Sequence, residues 1–401
     1  MFSLFFVDNS KYSISPISIG LLTSLLYLYH LKRKNFPYKI ILMKLLRIVL
    51  LFPLAGIYWF ITTTRNILFD IGILPSETFE KPIICIGNLS TGGTGKTPHT
   101  EYLIKQLKDK FNVAVLSRGY RRKTKNFILS TSKSTAQEIG DEPRQMKQKF
   151  PQVTVAVDAD RRNGVKEILK NEPNTDLILL DDAFQHRYVK PNFSILLTDL
   201  NNIYTNDFIL PAGNLRESRR GMNRAKYIIV TKCPENFNAL DRQKVIDSIR
   251  LKKDQQIFFT SYQYKKAVNL WDNKKVVEPF ELIDNKTDVL LITGIAKPKP
   301  IVKYLQKFTN NIKHISFSDH HEFSEKDLEK ITDAYANLES EKRIIITTEK
   351  DAQRLSILMK KSHDYIYYLP IEVIFTDNNE EIFINQIIKH VSSNKKYSRV
   401  Y

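Results

Sequence analysis

The stretch GNLSTGGTGKTPHT, Gly87 to Thr100, follows the apolar run PIICI and precedes the helix-like EYLIKQLKDK. Its glycines Gly92, Gly93 and Gly95 let backbone amides approach an anion closely, and a helix beginning here adds its own N-terminal N–H groups. Within the loop Ser90, Thr91, Gly92, Gly93, Thr94, Gly95, Lys96 and Thr97, Lys96 is placed to reach terminal phosphates and Thr97 to offer a hydroxyl to Mg²⁺. Ser90 stands where the strict G-x-x-x-x-G-K-[ST] pattern has glycine, so the loop departs from it by one position. The implied ligand is a nucleoside triphosphate. Taken alone, the loop names neither the base nor the phosphate acceptor.

Other chemistry-bearing residues follow at intervals. LILLDDAFQH ends four apolar residues in Asp181 and Asp182, the arrangement that puts a carboxylate at a strand end near a metal; an acidic pair there also serves as a helix cap. LSRGYRRKTK carries Arg118, Tyr120, Arg121 and Arg122, GDEPRQM carries Asp141 and Glu142, DADRRNG carries Arg161 and Arg162, and LPAGNLRESRRG carries Arg216 and Glu217. A solvated basic face would explain the first run, but placement after successive strands is where α/β folds gather their sites. FSDHHEFSEKDL offers Asp319, His320 and His321. There a histidine could take a proton from an attacking hydroxyl, while Ser324 and Asp327 resemble a capping box.

To serve one reaction these residues must be positioned by strands and helices, and the pattern supplies them. PIICIGN, NVAVLSRGY, VTVAVDADR, DLILLDDAF, FSILLTDL and KYIIVTK are short, β-branched and apolar almost throughout, with helical stretches between several of them. That is the signature of a doubly wound, mainly parallel sheet covered on both faces, a P-loop NTPase-like α/β core expected over 81–235. QQIFFTSYQ, DVLLITGIAKPKP, KRIIITTEKDAQRL and DYIYYLPIEVIF predict a second, smaller α/β domain over 236–401 that closes a cleft.

The 401 residues carry 61 Lys plus Arg against 43 Asp plus Glu, a net charge of +18. Such an excess suits polyanionic partners or an anionic membrane surface and also promotes solubility. Cys85 and Cys233 are too few and too isolated for a zinc site or a disulfide framework. Near the amino terminus, IVLLFPLAGIYWFITTT lies between Arg47 and Arg65, is short of the roughly 20 residues of a spanning helix, and contains Pro53 and Gly56. The segment 43–80 therefore reads as a membrane-associating helix lying at the interface; a spanning helix and a buried core helix are the other readings of this composition.

In order along the chain, GNLSTGGTGKTP, LSRGYRRK, GDEP, DADRRNG, LLDDAFQHR, LPAGNLRE, TGIAKP, SDHHEFS and TTEKDA resemble the tetraacyldisaccharide 4'-kinase family, the lipid A 4'-kinases, over about residues 43–380. The family shares the serine-for-glycine loop; Ala183 departs from its more usual glycine. The resemblance implies an enzyme at the cytoplasmic face of the bacterial inner membrane. It would use ATP and Mg²⁺ to phosphorylate the 4'-hydroxyl of an acylated glucosamine disaccharide 1-phosphate, the lipid A precursor. It further implies Asp141 with His320 as the base, Asp181, Asp182 and Glu217 with Thr97 around the metal, and Glu142 and Arg161, with Arg118 and Tyr120, toward the sugar head group. A monomer is expected, and Met43 is a plausible start, with 1–42 an upstream extension.

Two rival readings are weaker. A guanine-reading GTPase or metallochaperone needs an Asn-Lys-x-Asp segment, and IIVTKCPE has no aspartate there. A nucleic-acid-binding ATPase would interleave aromatic and basic residues, whereas these basic runs lie beside the phosphate loop. No nucleic-acid partner is expected.

Overall fold

The structure, a computed structural model, describes residues 36–319, 321–359 and 363–397. The apolar runs become β1 (Ile83–Asn88), β2 (Val113–Ser117), β3 (Ile128–Leu129), β4 (Thr154–Val157), β5 (Leu177–Asp181), β6 (Phe193–Asp199), β7 (Tyr227–Thr231) and β8 (Gln256–Tyr264). They are followed by β9 (Ala267–Asn269), β10 (Val276–Val277), β11 (Asp288–Thr293), β12 (Ile312–Ser316), β13 (Arg343–Thr348), β14 (Ile366–Leu369) and β15 (Ile371–Phe375).

One sheet runs β15-β8-β7-β6-β1-β5-β2-β4-β3, parallel through its centre with antiparallel edges at β15 and β3. Every residue of β1, β2, β5, β6 and β7 is buried, because helices cover both faces and leave no solvated side that would demand alternation. The order reverses around β1: the chain goes to β2 and β5 on one flank and then to β6 on the other. A crevice opens at such a switch point beyond the carboxyl ends of the strands, and the phosphate loop follows β1 there. A second sheet, β10-β9-β14-β13-β11-β12, is parallel from β14 to β12.

The expected division at 235 moves. β8 extends the first sheet, the chain changes sheets between Tyr264 and Ala267, and β15 returns to the first sheet. DYIYYLPIEVIF, which reads as one apolar stretch, is split at Pro370 between β14 and β15 in different sheets. The final helix, Glu380–Tyr397, then buries Phe383, Ile384, Ile387 and Val391 against Tyr102, Leu107 and Phe258 of the first unit. An apolar strand carries the same pattern whichever sheet it joins, which is why periodicity misses the exchange.

Helix α1 (Phe36–Asp70) is continuous through Pro53 and Gly56, so neither residue interrupts the apolar run as the sequence suggested. Proline forfeits one backbone bond, and the flanking apolar turns carry the helix past it. The helix begins seven residues before Met43 within the described chain, and residues 1–35 of the expected extension lie outside it. Leu46–Asp70 is long and apolar enough, by length and composition only, to cross a membrane.

Candidate active site

The phosphate loop is held open from both sides. Asn88 Nδ2 donates to Thr94 Oγ1 at 2.8 Å, Thr231 Oγ1 donates to the Thr94 carbonyl at 2.9 Å, and Thr91 N donates to the Asn214 carbonyl at 2.8 Å. Lys232 Nζ reaches the Gly93 carbonyl and donates to Asp199 Oδ2 at 2.8 Å. Ser90, buried, pairs its backbone with Leu215. Helix α2 (Lys96–Leu107) starts directly after the loop with Gly95 at its N-cap and no side chain capping its first amides. Uncapped first amides at a helix amino end are suited to an anion. Gly95 has φ +90°, and a Cβ there would lie 1.7 Å from the Tyr262 hydroxyl, so no other residue fits.

Carboxylates stand at the end of β5. Thr100 Oγ1 donates to Asp181 Oδ1 at 2.9 Å, and Ser117 Oγ donates to Asp181 Oδ2 at 3.4 Å. Burial, with the neighbouring charge of Asp182, pushes Asp181 up to about 6. Burial would raise Asp182 as well, but Lys96 at 3.5 Å and Arg216 at 3.0 Å outweigh it and hold that carboxyl below its ordinary range.

Among the described residues no group of three or more His, Cys, Asp or Glu is arranged to hold a metal. The Glu217 carboxylate accepts from Asn66 Nδ2 at 2.7 Å, Gln185 Nε2 at 2.9 Å and Arg224 Nη2 at 2.8 and 3.0 Å. With Thr97, Asp181 and Asp182, Glu217 makes up an all-oxygen donor set of the kind that fits Mg²⁺. Asp181, which accepts from two hydroxyls, has a buried charge that a divalent cation would offset.

Arg161 is buried, its Nη1 donating to the Asp158 and Ala159 carbonyls at 3.1 Å each. Its Nε has no hydrogen-bond partner among the described residues, and burial brings the guanidinium down to about 10. That donor is available to an acceptor from outside the protein. Arg118 and Tyr120 are exposed beyond β2, with Arg121 over the Tyr120 ring.

Gly119 (φ +67°) and Gly140 (φ +92°) interlock, since a Cβ on Gly140 would meet Gly119 and the Tyr120 carbonyl at 3.1 Å. Their close approach carries the SRGY turn onto the start of helix α3 (Asp141–Lys149), at whose head stand Asp141 and Glu142.

The sequence reading missed what faces them. Helix α4 (Glu349–Leu358), from TTEKDAQR, meets α3 through Lys350–Glu142 at 3.1 Å, Lys149–Glu349 at 3.0 Å, Arg144 Nη1 to the Gln353 carbonyl at 3.1 Å, and Arg354 to Asp141. Lys149 also pairs at 2.7 Å with buried Glu101, and Gln145 donates to Glu101 at 2.7 Å, which ties α3 to the phosphate-loop helix. The available signal was Lys350 and Arg354, four apart on one helix face, opposite a carboxylate pair. His320 lies outside the described residues. Its neighbour His321 stacks on Phe317 and sits 3.0 Å from Asp327, whose carboxylate also closes the capping box at Ser324.

Residues 47–391 match the model of the tetraacyldisaccharide-1-P 4'-kinase (LpxK) family. The chain belongs to this family. A tetraacyldisaccharide 4'-kinase of Bacteroides thetaiotaomicron is 47% identical over 359 residues, covering 87% of this chain and 94% of the relative. That of Flavobacterium johnsoniae is 46% identical over 352 residues, covering 88% and 99%. A solved structure described as the "apo" form of LpxK from Aquifex aeolicus in complex with ATP matches with a TM-score of 0.68 at 28% identity, covering 86% of this chain and 99% of that one. This kinase is thus an ATP-dependent enzyme of lipid A biosynthesis that phosphorylates the 4' position of its disaccharide.

Proposed function

We propose that Asp141 is the base of the transfer and that the loop Ser90–Thr97 holds ATP for it. The 4'-oxygen attacks the γ-phosphorus, the bond from that phosphorus to the β-bridging oxygen breaks, ADP leaves with the electron pair, and the hydroxyl proton passes to the Asp141 carboxylate. His320 would share that proton. Lys96 neutralises charge on the terminal phosphates, and the amides of α2 bind them. Thr97, Asp181, Asp182 and Glu217 would hold Mg²⁺, which would supply charge neutralisation when bound. Arg161, with its buried unpaired Nε, binds the anionic or polar head of the disaccharide 1-phosphate, with Glu142, Arg118 and Tyr120 beside it. A monomer is taken as the working unit.

The observation that carries this reading is the uncapped amino end of α2, with Lys96 at its first position and the Asp141 helix bolted to α2 through Glu101. Transfer of label from γ-labelled ATP to the disaccharide 1-phosphate in detergent micelles tests it. Lys96→Ala and Asp141→Asn are each expected to lose about a hundredfold in turnover. Unimpaired transfer by Asp141→Asn would remove that residue from the role.

The membrane reading rests on how α1 docks. Arg47 donates to the Pro211 and Gly213 carbonyls, Tyr58 to the Arg216 carbonyl, Arg65 to the Gln185 carbonyl and Asn66 to Glu217. At about 1.5 Å per residue these points extend over roughly 29 Å of helix, while Leu50, Phe52, Ile57, Phe60 and Ile61 on other faces stay exposed. An upright crossing would drag the catalytic unit into the hydrocarbon. The helix therefore lies along the surface of an anionic bilayer, its apolar side in the acyl boundary.

A further inference from the structure

The Arg354 side chain touches three of the sequence motifs at once. From α4 it donates through Nε to Asp141 Oδ2 at 3.1 Å, and Nη2 reaches the same oxygen. Nη1 lies 3.3 Å from the His321 carbonyl and 3.5 Å from Asp351 Oδ1. Asp351 is buried and its other oxygen accepts from the Gly294 amide at 2.9 Å and from Thr348 Oγ1 at 2.7 Å. One guanidinium thus joins GDEP of the first unit to SDHH and TTEKDA of the second, and Asp351 in turn holds Gly294 of TGIAKP.

We propose that Arg354 is a positioning residue for phosphoryl transfer, fixing the plane and orientation of the Asp141 carboxylate from across the cleft. The inference rests on the reading of Asp141 as the base. A guanidinium is planar, holds its charge at every working pH and can grip one oxygen with two donors, a geometry lysine cannot reproduce. Both donors that grip Asp141 end on Oδ2, so the carboxylate is held by one oxygen and rotation about its Cβ–Cγ bond is restrained. Because Arg354 is itself buried and anchored on Asp351 and the His321 carbonyl, it delivers that constraint from a fixed point. Among the described residues, Arg144 on its own helix also faces Asp141, Lys350 pairs with the adjacent Glu142, and Asp351 pairs with Arg354. Arg354 also contributes a positive charge beside the base, which favours its ionised form.

The test uses the full chain in mixed micelles with the disaccharide 1-phosphate and ATP, following kcat and KM. Arg354→Ala is expected to lower kcat about thirtyfold or more with KM for ATP changed less than about threefold. Added guanidinium at millimolar concentration restores part of the turnover. Wild-type kcat, or a rise in turnover, overturns the proposal. Should Arg354→Ala melt below the assay temperature, Arg354→Lys decides: it keeps the charge without the double grip, and kcat within twofold of wild type overturns the proposal. Asp141→Asn is assayed alongside. If Asp141→Asn is inactive while Arg354→Ala is unaffected, the positioning role fails and the base reading stands; if Asp141→Asn is fully active, the base reading itself is lost.

Discussion

Lys96 Nζ lies 3.5 Å from Asp182 Oδ2, and the second oxygen of the same carboxylate takes Arg216 at 3.0 Å. The cation offered to the phosphates is therefore already in contact with an anion that the phosphates must displace or share. Neutralising that anion lowers the electrostatic competition for Lys96 and Arg216.

Asp182→Asn should accordingly bind metal-free ATP more tightly, by roughly three- to tenfold, a change of about 1 kcal/mol of the size expected for a partly exposed pair. Its kcat with Mg²⁺ should fall at least about a hundredfold, since a proposed metal ligand is gone. Equilibrium binding of a fluorescent ATP analogue with chelator present, set beside turnover, checks both halves; weaker metal-free binding would contradict the competition.

Asp181 makes the opposite prediction for stability. Its folded value, about 6, lies above the ordinary 3.8, so between those pH values the folded state holds more protons than the unfolded. Stability is then fully present below about pH 4 and is lost as pH rises through 6, by about 2–3 kcal/mol. Asp181→Asn should flatten the melting temperature across this window and melt higher than wild type at pH 7.5 without nucleotide, although it is inactive. An equal or lower melting temperature there would refute the assignment.

Glu217 is buried with Arg224 as its counter-ion. Arg224→Met leaves that charge uncompensated, with an expected loss of about 3–5 kcal/mol in urea unfolding. Adding Glu217→Gln should recover most of the loss, and a double-mutant cycle with no coupling would show that the pair is not interdependent.

Phe52 and Phe60 are both more than half exposed on α1. Replacing both with Asp removes about 1.5–3 kcal/mol of apolar transfer per side chain and should weaken binding to anionic vesicles by at least about a hundredfold. ATP affinity should not change. Vesicle sedimentation and nucleotide titration on the same preparations separate the two effects, and unchanged sedimentation would argue against a bilayer-facing side.

Much of this molecule is legible in its sequence because strand, loop and acidic strand end are local signals. PIICIGN with STGGTGKT identifies the phosphate loop, and LILLDD the carboxylates beside it. What stays hidden depends on partners distant along the chain. Arg354 is one more cation on a helix until α4 meets α3, and nothing in LPAGNLRE tells that Asn66, Gln185 and Arg224 donate to Glu217. β15 likewise carries nothing to say that it leaves its neighbour β14 for the other sheet. His320, central to the family resemblance, lies outside the described residues.

The row of polar anchors from Arg47 to Asn66 has a kinetic consequence. With the helix lying flat on a bilayer as proposed, the enzyme would patrol a surface and meet its acceptor by lateral diffusion. The variable governing turnover is then the acceptor's mole fraction among the surrounding lipids. Diluting the acceptor with inert detergent at constant bulk concentration should slow the reaction just as removing acceptor does.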